Sequence, residues 1–594
     1  MKCIQAAMAS DRLRTVRPQL AEAVLRYHTA EQANEGLARL TGIRRFFPSD
    51  EALHCVQGAL RRDAPLQRAS PAPEMGDFQT PPHLARAICQ LLASTGISPD
   101  VLIEPTFGIG NLVMAALDAF PGLRLVHGVE LRPEYGWVLK LRLLACKHRL
   151  RGNLPGIRLV CDDIFTHRFP PDVFDAQHVL VLGNPPWVTN AGMGALGAGN
   201  LPVKRNIKGL RGLDAITGKG NFDTAEFVLL RLLELFAHRR GTLALLCKNS
   251  VVRNLVQSLP RFRFPIGRVA AYQFNARREF GAAVDASLLL VSMGAGNFEP
   301  SCEVRALARP HETVRCFGWV GDRFVSDIDR YRAVVPLDGR SPFEWRQGVK
   351  HDCAPVMELT HHSDCFRNGS GEPVNVEPDR MFPLLKSSDL REPVVAGTSR
   401  TVILPQYHIG EDTAELRTKA PRLWEYLNSH AEDLAGRRSS IYRNRAPFAI
   451  FGIGDYSFKP FKVAVSGFHR DPLFCVVPPI QGRPVMLDDT CYFLGFDTPT
   501  DALLTAAILN SETVGGLLRS LIFPDAKRPC TKEVLMRIDL ARAASCLSFH
   551  DLSAAWHQWD CAFGAQVSAD DFDEYRRRLG VQGEMSAHQL ALAM

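Results

Sequence analysis

The tetrapeptide Asn184-Pro185-Pro186-Trp187 has the most specific chemistry in the sequence. A single glycine separates it from the apolar run Val179–Leu182, and two consecutive prolines, which have a fixed φ and no amide hydrogen, end a strand in a rigid turn. The Asn184 side-chain oxygen and the Pro185 carbonyl can each accept one hydrogen of an exocyclic amine, which draws the nitrogen lone pair out of conjugation. Trp187 adds an aromatic face for stacking, worth about 1–3 kcal/mol per base. The turn therefore predicts chemistry on the amino group of a nucleobase.

A second turn, at 104–110, reads Glu-Pro-Thr-Phe-Gly-Ile-Gly and follows the apolar run Val101–Ile103. Glycines between a strand and a helix let the backbone pass close to a bound ligand. We expect the ligand contacts here to come from Glu104, Pro105, Gly108 and Gly110. The same pattern also occurs in ordinary tight turns, so it does not by itself establish a binding site.

Carboxylates end the next two apolar runs. Glu130 lies about 20 residues beyond the glycine turn, where an acidic side chain at a strand end can accept hydrogen bonds from both ribose hydroxyls of an adenosine. Asp162 and Asp163 follow the run Ile157–Val160, and one of the two can accept a hydrogen bond from the adenine amino group of the same ligand. We assign this contact to Asp163, although the spacing alone leaves the choice between the two open.

The elements that must position these groups are short apolar runs alternating with amphipathic helical segments from Asp77 to about Gly296. This alternation is typical of a doubly wound, mostly parallel sheet with helices on both faces, in which ligands bind at the carboxyl ends of the strands. The predicted strands are Val101–Ile103, Leu123–Val129, Arg158–Cys161, Val179–Leu182, Thr242–Leu246, Arg268–Gln273 and Ser287–Met293.

In this order, the four motifs resemble the amino-group DNA methyltransferases of the class found in type II restriction-modification systems. In that class the cofactor motifs come first, the catalytic Asn-Pro-Pro-Trp next and a target-recognition domain last. The resemblance covers about residues 77–296. It implies a class I methyltransferase fold (Rossmann-like), S-adenosylmethionine as cofactor, and methylation of adenine N6 in double-stranded DNA by base flipping and direct in-line attack.

Further residues carry the resemblance. The segment 78–82, Phe-Gln-Thr-Pro-Pro, is similar to the one that precedes the cofactor strand, which implies contact of Thr80 with the methionine end. Phe280 resembles the second aromatic that packs on the extruded base. Asp223 and Glu226 begin a segment that resembles a supporting helix near the cofactor. Ile109 departs from the family, where small residues are commoner in the cofactor loop.

Other functions share parts of this pattern. Cytosine N4 undergoes the same chemistry, and the preference for adenine N6 follows from the resemblance only. Methylation of RNA or of a protein glutamine can use a similar Asn-Pro-Pro turn, and a DNA-binding protein with a decayed methyltransferase core is a non-enzymatic alternative. We predict modification without cleavage, with a separate restriction endonuclease or defence-system subunit as a candidate partner.

Two basic segments are candidates for DNA contact. Lys204, Arg205 and Lys208 lie in a long glycine-rich stretch after Trp187, placed to grip phosphates unless this stretch is a solvated insertion. The stretch His430–Arg470 holds seven Lys or Arg against three Asp or Glu, interleaved with aromatic residues. The resemblance to target-recognition domains implies that DNA contacts here come from Arg437, Arg438, Arg443 and Arg445.

Composition and length fit this organisation. Of 594 residues, 46% are hydrophobic and 22% charged, and Lys and Arg outnumber Asp and Glu by 70 to 63, a mild excess that permits a polyanionic partner. No run approaches the roughly 18 apolar residues of a membrane span and no signal peptide is visible, so we expect no membrane partner and a cytoplasmic location.

Four regions are predicted: a helical N-terminal appendage at 1–75, the methyltransferase domain at 76–300, a connecting region at 301–345 and a mixed α/β target-recognition domain at 346–594. The residue types of one cluster suit metal binding, but its spacing matches no zinc pattern, so no metal is expected. Its members are His351, Cys353, His361, His362 and Cys365.

Overall fold

The computed structural model describes residues 1–9, 13, 16–61, 78–145, 154–188, 223–262, 264–294, 300–362, 365–395, 397–556 and 567–580. The chain divides into two compact units, Met1–Phe324 and Val325–Met594. The boundaries at 75, 300 and 345 stay predictions from the sequence.

A ten-stranded sheet forms the centre of the first unit, in the order β10-β9-β8-β6-β7-β5-β4-β1-β2-β3. Its strands are β1 (Val101–Glu104), β2 (Leu125–Glu130), β3 (Gly156–Cys161), β4 (Val179–Gly183), β5 (Gly241–Lys248), β6 (Ile266–Phe274), β7 (Ala286–Met293), β8 (Ser301–Ala306), β9 (Arg309–Val320) and β10 (Arg323–Val325). Strands β1 to β5 pair in parallel, and β7 runs antiparallel between β5 and β6. The strand order reverses between β1 and β4, which is where a doubly wound sheet opens a crevice for ligands.

All seven runs that we predicted as strands belong to this sheet. Strands β1 and β4 are buried along their whole length, which explains why they read as continuous apolar runs rather than as alternating ones. The helices that accompany the sheet are α5 (Pro82–Ser94), α6 (Asn111–Ala119), α7 (Pro133–Ala145), α8 (Pro171–Phe174), α9 (Thr224–Phe236), α10 (Asn249–Ser258) and α11 (Ala276–Phe280).

The described N-terminal region is helical and packs against the rest of the first unit at the loop that holds Ile109. It comprises α1 (Lys2–Met8), α2 (Arg17–Val24), α3 (Ala30–Thr41) and α4 (Asp50–Arg61). The predicted end of the appendage, at residue 75, lies outside the described residues. Ala7 of α1 and Val138 of α7 form one apolar cluster with Ile109. The bulk of Ile109, which departs from the family pattern, is therefore accommodated between two helices.

The predicted connecting region differs from expectation, since its first part extends the sheet. Strand β8 pairs in parallel with β6 and forms a hairpin with β9. Cys302 and Val304 are buried while Glu303 and Arg305 are partly exposed. This period-2 alternation is the ordinary signature of a strand with one solvated face, and it could have been read from the sequence.

The second unit contains two sheets together with helices. A four-stranded sheet has the order β11-β20-β17-β18, and a six-stranded sheet has the order β14-β13-β12-β16-β15-β19. The strands are β11 (Arg346–Gln347), β12 (Glu358–His362), β13 (Cys365–Arg367), β14 (Pro373–Val374), β15 (Met381–Leu385), β16 (Arg400–Ile403), β17 (Phe461–Ser466), β18 (Cys475–Val477), β19 (Met486–Leu487) and β20 (Cys491–Phe496). The helices are α12 (Ile328–Val334), α13 (Ala354–Met357), α14 (Leu416–Lys419), α15 (Pro421–Ser429), α16 (Ala431–Ala435), α17 (Pro499–Leu509), α18 (Glu512–Leu521), α19 (Lys532–Leu535), α20 (Leu540–Ser545), α21 (Phe549–Trp556) and α22 (Ala569–Arg578).

The run Phe448–Phe451 of the second unit is predicted as a short strand from its apolar residues, but it is not a strand. Phe448 has a φ of 64°, in the left-handed region that an extended strand cannot include, and only Phe451 of this run makes an isolated bridge, with Lys350.

Within the described residues, no helix is long and apolar enough to span a bilayer.

Candidate active site

A cavity of about 210 Å³ opens in the first unit beside the carboxyl ends of β1, β2, β3 and β4. Residues from all the predicted motifs line it, which follows from the parallel sheet because its strand ends meet at one edge. Of the predicted site residues, those in the lining are Thr80, Glu104, Pro105, Gly108, Glu130, Asp163, Asn184 and Pro186.

The glycine turn between β1 and α6 depends on two left-handed residues. Gly108 has a φ of 51°, and a Cβ there would lie closer than 3.0 Å to the Gln79 side-chain amide, which itself accepts a hydrogen bond from the Ile109 N–H at 3.0 Å. Gly110 has a φ of 77° and precedes α6, and a Cβ there would collide with Leu139 of α7. Gly108 thus shapes the cavity wall, whereas Gly110, predicted to contact the cofactor, lies outside the lining and allows α7 to pack closely.

Glu130 is held at the rim of the cavity by backbone donors. The N–H of Gly108 donates to its Oε2 at 2.8 Å, and the N–H of Arg132 donates to its Oε1 at 2.9 Å. Held in this way, the carboxylate lies where a pair of vicinal hydroxyls could donate to it, since a carboxylate oxygen can accept more than one hydrogen bond.

Glu104 is an unusual group in the cavity wall because it is 2% exposed and its Oε2 has no hydrogen-bond partner among the described residues. Burial raises the pKa of Glu104 well above its ordinary range, and the charge of Glu130 raises it further. A buried, unsatisfied acid costs free energy until a donor reaches it. An ammonium group, such as that of a methionine moiety, is a suitable donor, so this part of the site fits the expected cofactor.

The geometry separates the roles of the two adjacent aspartates. The Oδ2 of Asp162 lies 2.8 Å from Nδ1 of His167, and this contact lowers the pKa of Asp162. Its Oδ1 accepts the Asp163 N–H at 2.8 Å. Asp163 uses Oδ1 to accept from Phe165 N at 3.0 Å, and no described residue occupies its Oδ2. Asp163 is therefore the better placed of the two to accept from an adenine amino group.

Asn184 presents a single acceptor to the site. Its Nδ2 donates to the Phe78 carbonyl at 2.7 Å and to Thr80 Oγ1 at 3.2 Å, while its Oδ1 is buried and without a partner in the described part of the chain. Because both amide hydrogens are engaged, the carboxamide cannot rotate without losing them. Thr80, predicted to touch the methionine end of the cofactor, lines the cavity and also accepts a hydrogen bond that orients the Asn184 amide.

The aromatic groups of the site contact one another. Trp187 is 4% exposed, and its ring lies 5.1 Å from that of Phe280 in an edge-to-face arrangement and 5.6 Å from that of Phe78. Trp187 was predicted to stack on the base, and Phe280 to be the second aromatic that packs on it. The two rings contact each other in this structure, so a base could enter between them only after they separate. Phe78, whose ring is the third member, was not identified from the sequence, although an aromatic residue directly before Gln-Thr-Pro was a readable signal.

The start of α9 also lies at the site. Asp223 caps the helix by accepting the Ala225 N–H at 3.0 Å, and Thr224 lines the cavity. Glu226 is 3% exposed and accepts from Asn254 Nδ2 at 3.1 Å. These contacts place the predicted supporting helix beside the cavity.

The arginines predicted to bind DNA in the second unit differ in their surroundings. Arg437 is half-buried, with its guanidinium 3.7 Å from the centre of the Tyr442 ring, and it donates to the carbonyls of Leu434 and Ala449. This side chain holds the local fold together. The side chains of three others are exposed and have no ion-pair partner among the described residues, namely Arg438, Arg443 and Arg445.

Three further predicted DNA contacts, Lys204, Arg205 and Lys208, lie outside the described residues. In the described part of the chain, no group of three or more His, Cys, Asp or Glu side chains could hold a metal ion.

Comparison with known proteins places this site in context. No protein-family model matches the chain. The type II methyltransferase M.NspV of Nostoc sp. is 36% identical over 469 residues, which cover 79% of this chain and 96% of that protein. The type II methyltransferase M.XamI of Xanthomonas campestris pv. amaranthicola is 32% identical over 123 residues, 21% of each chain. The type IIL restriction-modification enzyme MmeI, solved in complex with DNA, aligns with a TM-score of 0.51 and 11% identity over 98% of this chain and 89% of that chain, which shows a similar fold.

Proposed function

The chain belongs to the type II methyltransferases, and we propose that it transfers a methyl group from S-adenosylmethionine to the N6 amino group of adenine in double-stranded DNA. The observation that carries this proposal is the state of Asn184. Its amide nitrogen donates two hydrogen bonds, and its buried Oδ1 has no partner in the described structure. This oxygen can therefore accept a hydrogen bond from the amino group of a substrate.

The cavity supplies groups for each part of the cofactor. Glu130 accepts hydrogen bonds from the ribose hydroxyls, Asp163 accepts one from the adenine amino group, and Glu104 receives the methionine ammonium. When bound, S-adenosylmethionine supplies an electrophilic methyl group on a sulfonium centre. The absence of a side chain at Gly108 leaves room for the Gln79 amide in the cavity wall.

The residues of the turn act on the acceptor amine. Asn184 Oδ1 and the Pro185 carbonyl each accept one hydrogen bond from the N6 amino group, so the nitrogen lone pair is turned toward the methyl group. Phe280 moves away from the fixed ring of Trp187 and the extruded base is held between the two rings. The transfer then proceeds by direct in-line attack without a covalent enzyme intermediate. The intact hydrogen-bonding of Asn184 argues against a decayed, purely DNA-binding core.

We propose the second unit as the target-recognition domain. Arg438, Arg443 and Arg445 extend exposed cations that can neutralise phosphates, whereas Arg437 supports their loop. Such a protein would act in the cytoplasm within a restriction-modification system, beside a separate restriction endonuclease.

The test is to sequence single molecules of DNA from methylation-free cells that express the wild type, Asn184→Ala or Asn428→Ala. Asn428 is an exposed residue of α15 and serves as the matched control. We expect N6-methyladenine at one short motif with the wild type and the control, and none with Asn184→Ala. N4-methylcytosine would contradict the assigned base, and unmodified DNA from the wild type would contradict DNA as the substrate.

A further inference from the structure

The Asn-Pro-Pro-Trp turn is held from outside by the neighbouring strand. Pro185 and Pro186 have no N–H to donate, so the turn cannot stabilise itself with its own backbone. The parallel pairing of β4 with β5 ends at Gly183 and Leu245, but β5 continues to Lys248. The carboxyl end of β5 therefore runs alongside the turn.

This end of β5 makes two hydrogen bonds with Trp187. The indole Nε1 donates to the carbonyl of Leu246 at 3.2 Å. The ammonium of Lys248 donates to the backbone carbonyl of Trp187 at 2.9 Å. One contact holds the ring and the other holds the main chain, so together they fix the residue that ends the turn.

The ammonium of Lys248 also binds the start of α9. Its Nζ lies 2.6 Å from Oδ2 of Asp223, and the two side chains are only 20% and 9% exposed. The N–H of Thr224, the first residue of α9, donates to the carbonyl of Val188 at 2.8 Å. Lys248 thus bridges the catalytic turn and the helix cap in a partly dry environment, where removal of one partner leaves the other charge unpaired.

A lysine suits this position better than an arginine. Its ammonium is a compact point charge with three donors, so it can serve a carboxylate and a carbonyl at once, here at 2.6 Å and 2.9 Å. The guanidinium of arginine is planar and larger, and it would separate the two acceptors. The bridge therefore depends on the residue type as well as on the charge.

We propose that Lys248 is a positioning residue for methyl transfer: by holding the Trp187 carbonyl against Asp223, it keeps the Asn184 oxygen and the Pro185 carbonyl where the acceptor amine must bind. This inference rests on the proposed function. Because a misplacement of about 1 Å in a reacting group can cost roughly 10²-fold in rate, loosening of the turn should lower the chemical step while cofactor binding persists.

The experiment compares Lys248→Met, Lys248→Arg and the double variant Lys248→Met with Asp223→Asn, which removes the carboxylate charge but keeps an oxygen that can cap α9. Single-turnover methylation of duplex DNA measures the chemical step, calorimetry with S-adenosylhomocysteine measures cofactor binding, and thermal unfolding measures stability. Lys140→Met is the matched control, because Lys140 also donates to a backbone carbonyl of the first unit, that of Phe46, away from the turn.

We expect Lys248→Met to lose about 10²-fold in single-turnover rate with S-adenosylhomocysteine affinity changed less than about threefold, and Lys248→Arg to recover only part of the rate. The double variant removes the unpaired carboxylate, so it should regain thermal stability yet remain slow. If the double variant regains rate together with stability, or if Lys248→Met is as fast as the wild type, Lys248 has no positioning role.

A second readout separates this inference from the proposed function. The emission of Trp187, obtained by subtracting the spectrum of each protein's Trp187→Phe counterpart, reports the turn without any methylation. It should shift to longer wavelength in Lys248→Met and in the double variant, but not in Lys140→Met. A wild type that leaves DNA unmodified would refute the proposed function, while an unshifted Trp187 emission in Lys248→Met would refute the positioning role.

Discussion

Substitution of Gly108 by alanine tests whether the glycine turn forms the cofactor wall. The φ of 51° costs an alanine roughly 1–2 kcal/mol wherever it occurs. In addition, the new Cβ would lie closer than 3.0 Å to the Gln79 amide. Gln79 would have to move and would lose the hydrogen bond that it accepts from Ile109 N, which contributes about 0.5–1.5 kcal/mol. Because Gln79 lines the cavity, this movement would change the shape of the cavity wall.

The backbone cost can be separated from the contact by a matched control. Gly96 has a φ of 82° and nothing within 4 Å of its hypothetical Cβ, so Gly96→Ala carries the conformational cost alone. Calorimetry with S-adenosylhomocysteine should show Gly108→Ala binding about tenfold more weakly than Gly96→Ala, since about 1.4 kcal/mol corresponds to a factor of ten. Equal affinities for the two variants would refute the assignment of Gly108 to the cofactor wall.

Two further predictions concern acid stability and DNA affinity. Burial lowers the pKa of His127 to about 4, so this neutral histidine contributes stability above its unfolded pKa of about 6.5 that is lost as the pH falls toward 4. Urea unfolding at pH 7 and pH 5 should show a loss of up to about 2 kcal/mol in the wild type that is smaller in His127→Gln, and equal losses would contradict this reasoning. Substitution of Arg443 and Arg445 by alanine should weaken duplex binding and reduce the slope of log Kd against log salt concentration by about one unit per lost phosphate contact. The control Arg332→Ala removes an exposed cation that is paired with Asp329, and it should change neither the affinity nor the slope.

The sheet of the first unit was predictable because parallel strands are buried on both faces. Val101–Glu104 and Val179–Gly183 are covered along their whole length, so burial imposes uninterrupted apolar runs. The hairpin of β8 and β9 was missed because its strands alternate between buried and exposed residues and follow a region without chemical motifs. Phe448 was misjudged because its left-handed backbone is set by tertiary packing and not by its residue type.

The candidate site divides in the same way. The order of motifs along a doubly wound sheet was enough to predict that Glu130, Asp163 and Asn184 approach one cavity, since strand ends meet at a single edge. The sequence analysis favoured Asp163 over Asp162, but the spacing alone did not resolve the choice. Only the fold distinguishes them, by bringing His167 to one carboxylate and leaving an oxygen of the other without a partner.

Local residue types thus determined which groups are present: the acceptors of the Asn-Pro-Pro turn, the conformational freedom of Gly108 and the aromatic ring of Trp187. Tertiary structure decided what those groups can do at a given moment. It engages both hydrogens of the Asn184 amide, closes Phe280 over Trp187, and brings Lys248 to a carbonyl 61 residues earlier in the chain. The reason is physical. A residue type and its nearest neighbours set the backbone preference and the chemical groups that are available. Partners distant in sequence meet only when burial of the whole sheet has fixed their positions.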